Sequence, residues 1–487
     1  MDFAHSLRLI APEETLSVAS LVLLLIAAWS GDKAARLLSI LAVAVLVGCM
    51  ALVTPALVHG LSGPDVTAFG GQYRADAFAA FAKLLIYGSS AAALIIAPAF
   101  FDRLGQMRAE YPVLILLAAL GMGMMASAGD LLTLYIGLEL NSLASYVLAA
   151  FLRNDGRSAE SGLKYFVLGA LASGILLFGV SLVYGFTGTT SFVGISSALS
   201  GALGAGVVFG IVFVLAGLAF KIAAVPFHMW TPDVYEGAPT PVTTFFATAS
   251  KASALALLMR VSLEAFGSQA DAWRQIVIFA AIASIVVGAL GAIGQTNIKR
   301  LMAYSSINNV GFVLIGLAIA TPQGAAAMLT YLVIYIAMSL GGFVAILMLR
   351  DAEDRPVEAI ADLSGLSRTR PYLALALAMI MFSLAGIPPL FGFWGKFVVF
   401  QAAVQAGYVA LAAIGIAASV IGAFYYIKIV KIMYFDEPAD IVRGESDLAH
   451  KILLLICAVF MSPLGYLVTK QLDGLAQTAA SVLFLAA

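Results

Sequence analysis

Glu139 stands in the interior of a long apolar run, LLTLYIGLELNSLASYVLAAF, whereas the rest of the 27 Asp and Glu residues fall in loops or near the ends of apolar segments. Lys221, Lys251 and Lys396 also interrupt segments that are otherwise apolar. A charge at bilayer depth costs ~3 kcal/mol on insertion scales and more in simulations. One acid and several lysines kept at such depth point to ion or proton chemistry. At an effective dielectric of ~20, a carboxylate and an ammonium in contact at 4 Å attract by ~4 kcal/mol. A lysine held against Glu139 would therefore keep its proton, and separating the pair would release it.

Each group has a plainer reading. Glu139 could be a neutral carboxyl held by hydrogen bonds. Lys221, five residues before Pro226, and Lys251, about eleven residues into its segment, are too central to snorkel to a surface. Lys396 lies seven residues beyond Pro389, in the outer half of its segment, where snorkelling is a stronger rival. His228 follows Pro226 by two residues; it suits a proton relay or a structural hydrogen bond equally. Lys164 would extend a polar path beside Glu139 or sit at a segment end. Lys83 reads as a snorkelling lysine, and Arg260 as reaching a headgroup or an acidic loop residue.

The elements that must position these groups are membrane helices. The chain of 487 residues is 62% hydrophobic and 11% charged, with a mean hydropathy of +1.02, against roughly 25% charged residues in soluble domains. The fold class is an all-α polytopic membrane protein. We expect about fourteen spans, near 11–30, 35–59, 77–101, 112–128, 131–152, 160–186, 206–230, 240–266, 273–293, 301–320, 323–349, 371–405, 408–435 and 448–469. Basic residues such as Lys33, Arg103, Arg153, Lys299 and Arg443 gather in the odd-numbered loops, so the positive-inside rule places both termini outside. The first run follows Glu13 and Glu14 without a basic flank and reads as a retained span. The tail after Lys470 is mildly apolar and short for a fifteenth. GMGMMA at Gly121 matches a nucleotide-loop pattern but has no preceding strand, so it reads as small-residue helix packing.

A net charge of −1 argues for neither nucleic acid nor an anionic partner. Cys49 and Cys457 are far apart, and the four histidines are scattered; no metal or iron–sulfur motif is present.

Two spans should break. Pro226 opens the seventh, in AFKIAAVPFHMWTPDVYEGAPTP; Gly386, Pro388 and Pro389 open the twelfth, in SLAGIPPLFGFWGKF. Broken backbone at membrane depth survives only where protein or a wet cavity satisfies it. The two lie five spans apart and so run in opposite directions. This spacing predicts two inverted five-helix repeats, spans 4–8 and 9–13. The expected units are residues 1–110 (three helices), 111–266 and 267–436 (the repeats), and 437–487 (a last helix and short tail).

The segments FKIAAVPFHMWTPDVYEGAPTPVTTFFATASKASALALLMR, QTNIKRLMAYSSINNVGF and SLAGIPPLFGFWGKF closely resemble the antiporter-like subunits of respiratory complex I, above all the N branch. The similarity spans roughly residues 110–435. The resemblance implies a proton-translocating membrane-arm subunit, driven by NADH oxidation and quinone reduction in other subunits. It implies an ion pair between Glu139 and Lys221 that gates uptake, a relay at Lys251, an exit at Lys396 and a histidine at His228. No cofactor belongs to this chain; flavin, iron–sulfur clusters and NADH are expected in partner subunits, and quinone in the complex. The implied partners are membrane-arm subunits M, K and J in a hetero-oligomer, the lipid bilayer and protons, with no nucleic acid; the implied location is a bacterial plasma membrane with both termini periplasmic. The M branch carries glutamate where this chain has Lys396, and the L branch ends in a lateral helix absent here. A multi-subunit cation/proton antiporter shares the same core and is the alternative, as is the M branch of complex I.

Overall fold

The computed structural model describes residues 3–201, 204–444 and 447–485. Its helices are α1 Phe3–Leu9, α2 Ala11–Ser30, α3 Ala35–Val58, α4 Ala77–Arg103, α5 Glu110–Ala126, α6 Leu131–Ala149 and α7 Gly156–Thr187. They continue with α8 Phe192–Ala198, α9 Ala205–Ile222, α10 Trp230–Gly237, α11 Thr240–Phe245, α12 Lys251–Arg260, α13 Ala270–Ile293 and α14 Ile298–Ile319. The last are α15 Pro322–Leu347, α16 Leu366–Thr369, α17 Pro371–Ala385, α18 Gly392–Gln405, α19 Val409–Phe435, α20 Leu448–Met461 and α21 Thr469–Val482. A two-stranded ribbon, Thr67–Ala68 against Tyr73–Arg74, is the sole sheet among the described residues.

Ten helical stretches among the described residues are long and apolar enough to cross a membrane, or eleven with α20 and α21 counted together across a 69° bend. This makes the chain a multi-pass membrane protein. The number is below the expected fourteen for local reasons. α2 and α3 count together as one 48-residue stretch, α5 is a shorter apolar helix, and the α17–α18 stretch is interrupted. The tail expected to be mildly apolar is the helix α21.

Helix starts follow from side chains that accept free backbone N–H groups. Asp76 accepts from Ala79 at 2.8 Å, Asp130 from Thr133 at 2.7 Å, and Asn297 from Lys299 at 2.8 Å. Small residues then allow close packing without a hydrophobic driving force. A Cβ on Gly121 would lie 2.6 Å from the Gly137 carbonyl oxygen, so α5 and α6 touch backbone to backbone two residues from Glu139.

The charged loops are tied to one another. Arg108 pairs with Asp32 at 2.6 Å, Arg153 with Glu110 at 3.0 Å, Arg157 with Glu358 at 3.4 Å, and Arg103 with Asp447 at 2.6 Å. Loops separated by hundreds of residues therefore share one end of the helical body.

Candidate functional site

α9 stops at Ile222 because Ala223 turns left-handed, with φ of 58°. The N–H groups of Ala223 and Ala224 fold back onto the carbonyls of Phe220 (3.0 Å) and Ala219 (2.9 Å). The chain then passes Pro226 and resumes as α10. Val225 N–H donates to Ser284 Oγ on α13 at 2.9 Å, and Trp230 Nε1 donates to the Phe220 carbonyl at 2.9 Å. The break is thus satisfied by protein, as bilayer depth requires. Lys251 Nζ donates to the Ile222 carbonyl at 2.6 Å. This lysine is buried and directly follows a π-helical turn, Phe246–Ser250, a distortion often found at functional positions.

Lys221 lies in the last turn of α9 and is buried. Its Nζ donates to Ser142 Oγ at 2.6 Å and to Tyr146 Oη at 3.4 Å, with the Tyr146 ring centre 5.6 Å away. Glu139 is one turn from Ser142 on α6, hence on the same face. Among the described residues Glu139 forms no ion pair, and its Oε1 is enclosed without a hydrogen-bond donor. The ammonium therefore sits on a neutral hydroxyl, one helical turn from an unpartnered carboxyl.

The second break repeats the first in outline. α17 ends at Ala385, and Gly386 is left-handed with φ of 82°. Its N–H turns back onto Phe382 and Ser383, while Ser383 Oγ accepts from Gly392 N–H at 2.9 Å. Lys396 Nζ donates to the Ala385 carbonyl at 3.0 Å and to Ser419 Oγ at 2.9 Å, with the Phe312 ring centre 4.6 Å away. Lys396 is buried, and it lines a groove of about 710 Å³ with Gly386, Phe397, Phe400 and Ser419.

A polar network to which the sequence reading assigned no role joins α14, α15 and α19. Tyr331 Oη donates to Asn309 Oδ1 at 2.6 Å; Asn309 Nδ2 reaches Tyr426 Oη at 3.3 Å, and Tyr426 bonds Ser305. Ser306 and Tyr335 share a hydrogen bond of 2.8 Å. All of these are buried. The signal was the run SSINN inside an apolar segment.

The remaining groups fall in different places. His228 lies partly exposed in the first break, and among the described residues no side-chain hydrogen bond joins it to Lys221 or Lys251. Lys164 is brought to Asp233 and Glu160, each at 2.7 Å, and not to Glu139. Asp233 also holds Arg300 at 2.6 Å, and Arg300 holds Glu236 at 2.9 Å. Lys299 donates to the carbonyls of Glu236 and Ala238, both at 2.8 Å, and lies 3.4 Å from Glu358. A cavity of about 340 Å³ opens here, lined by Asp155, Arg157, Glu236, Lys299 and Glu358. Burial alone would raise the Glu358 carboxyl, but Lys299, the Asn297 amide and Arg157 outweigh it and hold it below its ordinary value.

Lys83 does not snorkel. It is 2% exposed and pairs with Glu13 at 2.6 Å, while Tyr73 Oη donates to Glu13 at 2.5 Å. Glu13 stands in the first turn of α2, so proximity to a segment end did not mean exposure. Arg260 reaches acids as expected, Asp76 at 2.7 Å and Glu264 at 2.9 Å, and is fully buried. Among the described residues no group of three or more His, Cys, Asp or Glu side chains could hold a metal ion.

Buried lysines paired with helix breaks in an all-helical, multi-pass body define an antiporter-like membrane protein. The family model "NADH:quinone oxidoreductase/Mrp antiporter, TM" matches residues 128–422. An NADH-quinone oxidoreductase subunit N from Erythrobacter litoralis (strain HTCC2594) is 68% identical over 100% of both chains. Another, from Rhizorhabdus wittichii, is 60% identical over 99% of this chain and 100% of the relative. The chain belongs to the NADH-quinone oxidoreductase subunit N family. A chain of respiratory complex I from Thermus thermophilus superposes with a TM-score of 0.81 at 32% identity, covering 96% of this chain and 99% of that one. A chain of the Mrp complex from Dietzia sp. DQ12-45-1b shares the fold, with a TM-score of 0.85 at 24% identity over 99% of this chain and 98% of that one.

Proposed function

We propose that this chain is the proton-translocating N subunit in the membrane arm of an NADH:quinone oxidoreductase. Full-length identity to curated subunit N relatives supports the complex and its neighbours M, K and J. The flavin, iron–sulfur clusters, NADH and quinone belong to the other subunits and to the complex. In our reading the carriers are Glu139, Lys221, Lys251 and Lys396, with His228 and Lys164 assisting. The single observation that carries the path is that all three lysines lie within the protein at a helix break, each on a neutral oxygen and, among the described residues, none on a carboxylate. A lysine so held has no carboxylate partner that would fix its proton there. Lys221 then moves between Ser142 and Glu139: on Ser142 it is free to pass its proton on, and on Glu139 it is held charged. Lys164 serves at the charged end, where its ion cluster borders the 340 Å³ cavity that we take as the entrance.

The fourteen-span plan, with repeats in spans 4–8 and 9–13 and units at 1–110, 111–266, 267–436 and 437–487, completes the reading. It is supported by the ion pairs that join the odd-numbered loops at one end and by the parallel construction of the two breaks. Positive-inside bias makes that end cytoplasmic, with both termini periplasmic in a bacterial inner membrane.

The alternative of a cation/proton antiporter subunit shares the fold. Affinity purification through a tag on this chain separates the two. An assembly that contains flavin and iron–sulfur clusters and oxidises NADH with quinone supports the complex I reading. An assembly without them, exchanging cations for protons, would replace it.

A further inference from the structure

In an uninterrupted α-helix the carbonyl of residue i accepts the N–H of residue i+4. Proline has no N–H to give. Pro226 lies four residues after Ile222, and Pro389 four residues after Ala385. Ile222 and Ala385 are the last residues of α9 and α17. Each carbonyl closes a helix whose next residue turns left-handed, and the residue four positions on is a proline with no N–H to offer, at a depth where an unpaired polar group is costly. Each is taken instead by a buried ammonium: Lys251 Nζ at 2.6 Å from the Ile222 oxygen, and Lys396 Nζ at 3.0 Å from the Ala385 oxygen. The two lysines arrive differently. Lys251 comes from the neighbouring span, whereas Lys396 comes from the second half of the same broken span. The same relation reached from two directions is not a by-product of one local turn.

We propose that Pro226 and Pro389 are positioning residues that reserve one main-chain carbonyl each for a lysine of the proton path. The prolines do more than open the helices. By withholding one N–H they leave an acceptor that the ammonium alone fills. A charged donor binds such an oxygen about twice as strongly as a neutral one. When the lysine gives up its proton its hold on the carbonyl weakens, so lysine charge and break geometry change together. The catalytic part of this statement rests on the proton role proposed above for Lys251 and Lys396; the reservation of the carbonyls does not.

Pro388 is an internal control. It lies four residues after Leu384, and the lysine bonds the Ala385 carbonyl instead. Pro388→Ala therefore loosens the same break without supplying an N–H four residues after the lysine's acceptor. Pro389→Ala supplies it.

The test uses the whole purified complex carrying P389A, P388A or P226A. Cyanate carbamylates the neutral amine and spares the ammonium, and mass spectrometry of the peptides containing Lys396 and Lys251 reads the rate at fixed pH. Lys396 lines the 710 Å³ groove, which gives the small reagent an approach. We expect Lys396 to react about tenfold faster in P389A, the size expected for losing one hydrogen bond to a charged group. In P388A it should stay within about twofold of the unsubstituted protein, and P226A should act on Lys251 as P389A acts on Lys396. Equal rates in P389A and P388A, or an unchanged rate in P389A, would overturn the proposal. If P389A does not assemble, P226A read at Lys251 decides in the same way. Loss of assembly in both, with P388A assembled, would make the prolines folding elements only and would also overturn it. The two readings fail separately: a Lys396→Met complex that pumps normally removes the proton role, while the carbamylation difference stands on its own.

Discussion

Ser142→Ala removes one oxygen from a buried site and leaves every charge in place. Ser142 Oγ is the nearest partner of Lys221, at 2.6 Å, and the next, Tyr146 Oη, is at 3.4 Å. A hydrogen bond to a charged group contributes about 1.5–3 kcal/mol. Losing it shifts the balance between the Ser142 and Glu139 positions of Lys221 by roughly ten- to a hundredfold toward the carboxylate. A lysine resting on Glu139 holds its proton, so NADH-driven acidification of membrane vesicles, followed with a pH-sensitive dye, should slow at least severalfold. Complex assembly should be unchanged, because the substitution opens a space smaller than a water molecule. Glu139→Gln removes the competing charge, so the double variant should lose less than the sum of the two single variants. Additive losses within about 0.5 kcal/mol would mean that the sites are independent. That result, or normal pumping in Ser142→Ala, would refute a lysine poised between hydroxyl and carboxylate.

Gly386→Ala places a Cβ 2.9 Å from Lys396 Cδ at a φ of 82°. The left-handed conformation costs about 1–2 kcal/mol for an alanine, and the Lys396 side chain must shift away from the added methyl. Pumping should fall in complexes that still assemble, whereas Gly407→Ala, also at positive φ but meeting nothing within 4 Å, should leave it unchanged. Lys83→Ala strands the buried Glu13 carboxylate and should destabilise the complex by about 3–5 kcal/mol, read as earlier thermal inactivation in detergent. Replacing both partners, as Glu13→Gln with Lys83→Met, should recover most of that loss. Glu358 is held below its ordinary value by Lys299, Asn297 and Arg157 against the opposing effect of burial. Its ion pairs therefore contribute fully above about pH 4.3, the unfolded value, and are lost as pH falls through the lower folded value. Hydrogen exchange in the 351–370 loop should accelerate over that acid range, and Glu358→Gln should remove the dependence.

The lysines were legible because a charge inside an apolar run has few innocent explanations, and the breaks because proline cannot continue a helix. Partners were harder to read. Lys83 looked like a snorkelling residue because Glu13 lies 70 positions earlier, at the start of a segment, and the packing of α2 and α4 against α5 is what brings the two together. Lys164 was drawn toward Glu139 on depth alone, although Asp233, beyond the first break, supplies its carboxylate. The carbonyl acceptors of Lys251 and Lys396 were legible in principle from the four-residue spacing to each proline. What the spacing did not reveal was which side chain would fill them, since one donor comes from another span. The hydroxyl and amide network around Asn309 left only a weak trace, because Ser, Asn and Tyr within a membrane helix are compatible with ordinary interhelical hydrogen bonds.

The central claim is that protons pass through Lys221. The ratio of protons moved to NADH oxidised, measured in vesicles carrying Lys221→Ala with this chain still present in the complex, tests it most directly. The account predicts a lowered ratio and slowed coupled NADH:quinone activity. A normal ratio at normal turnover in the assembled variant would contradict it.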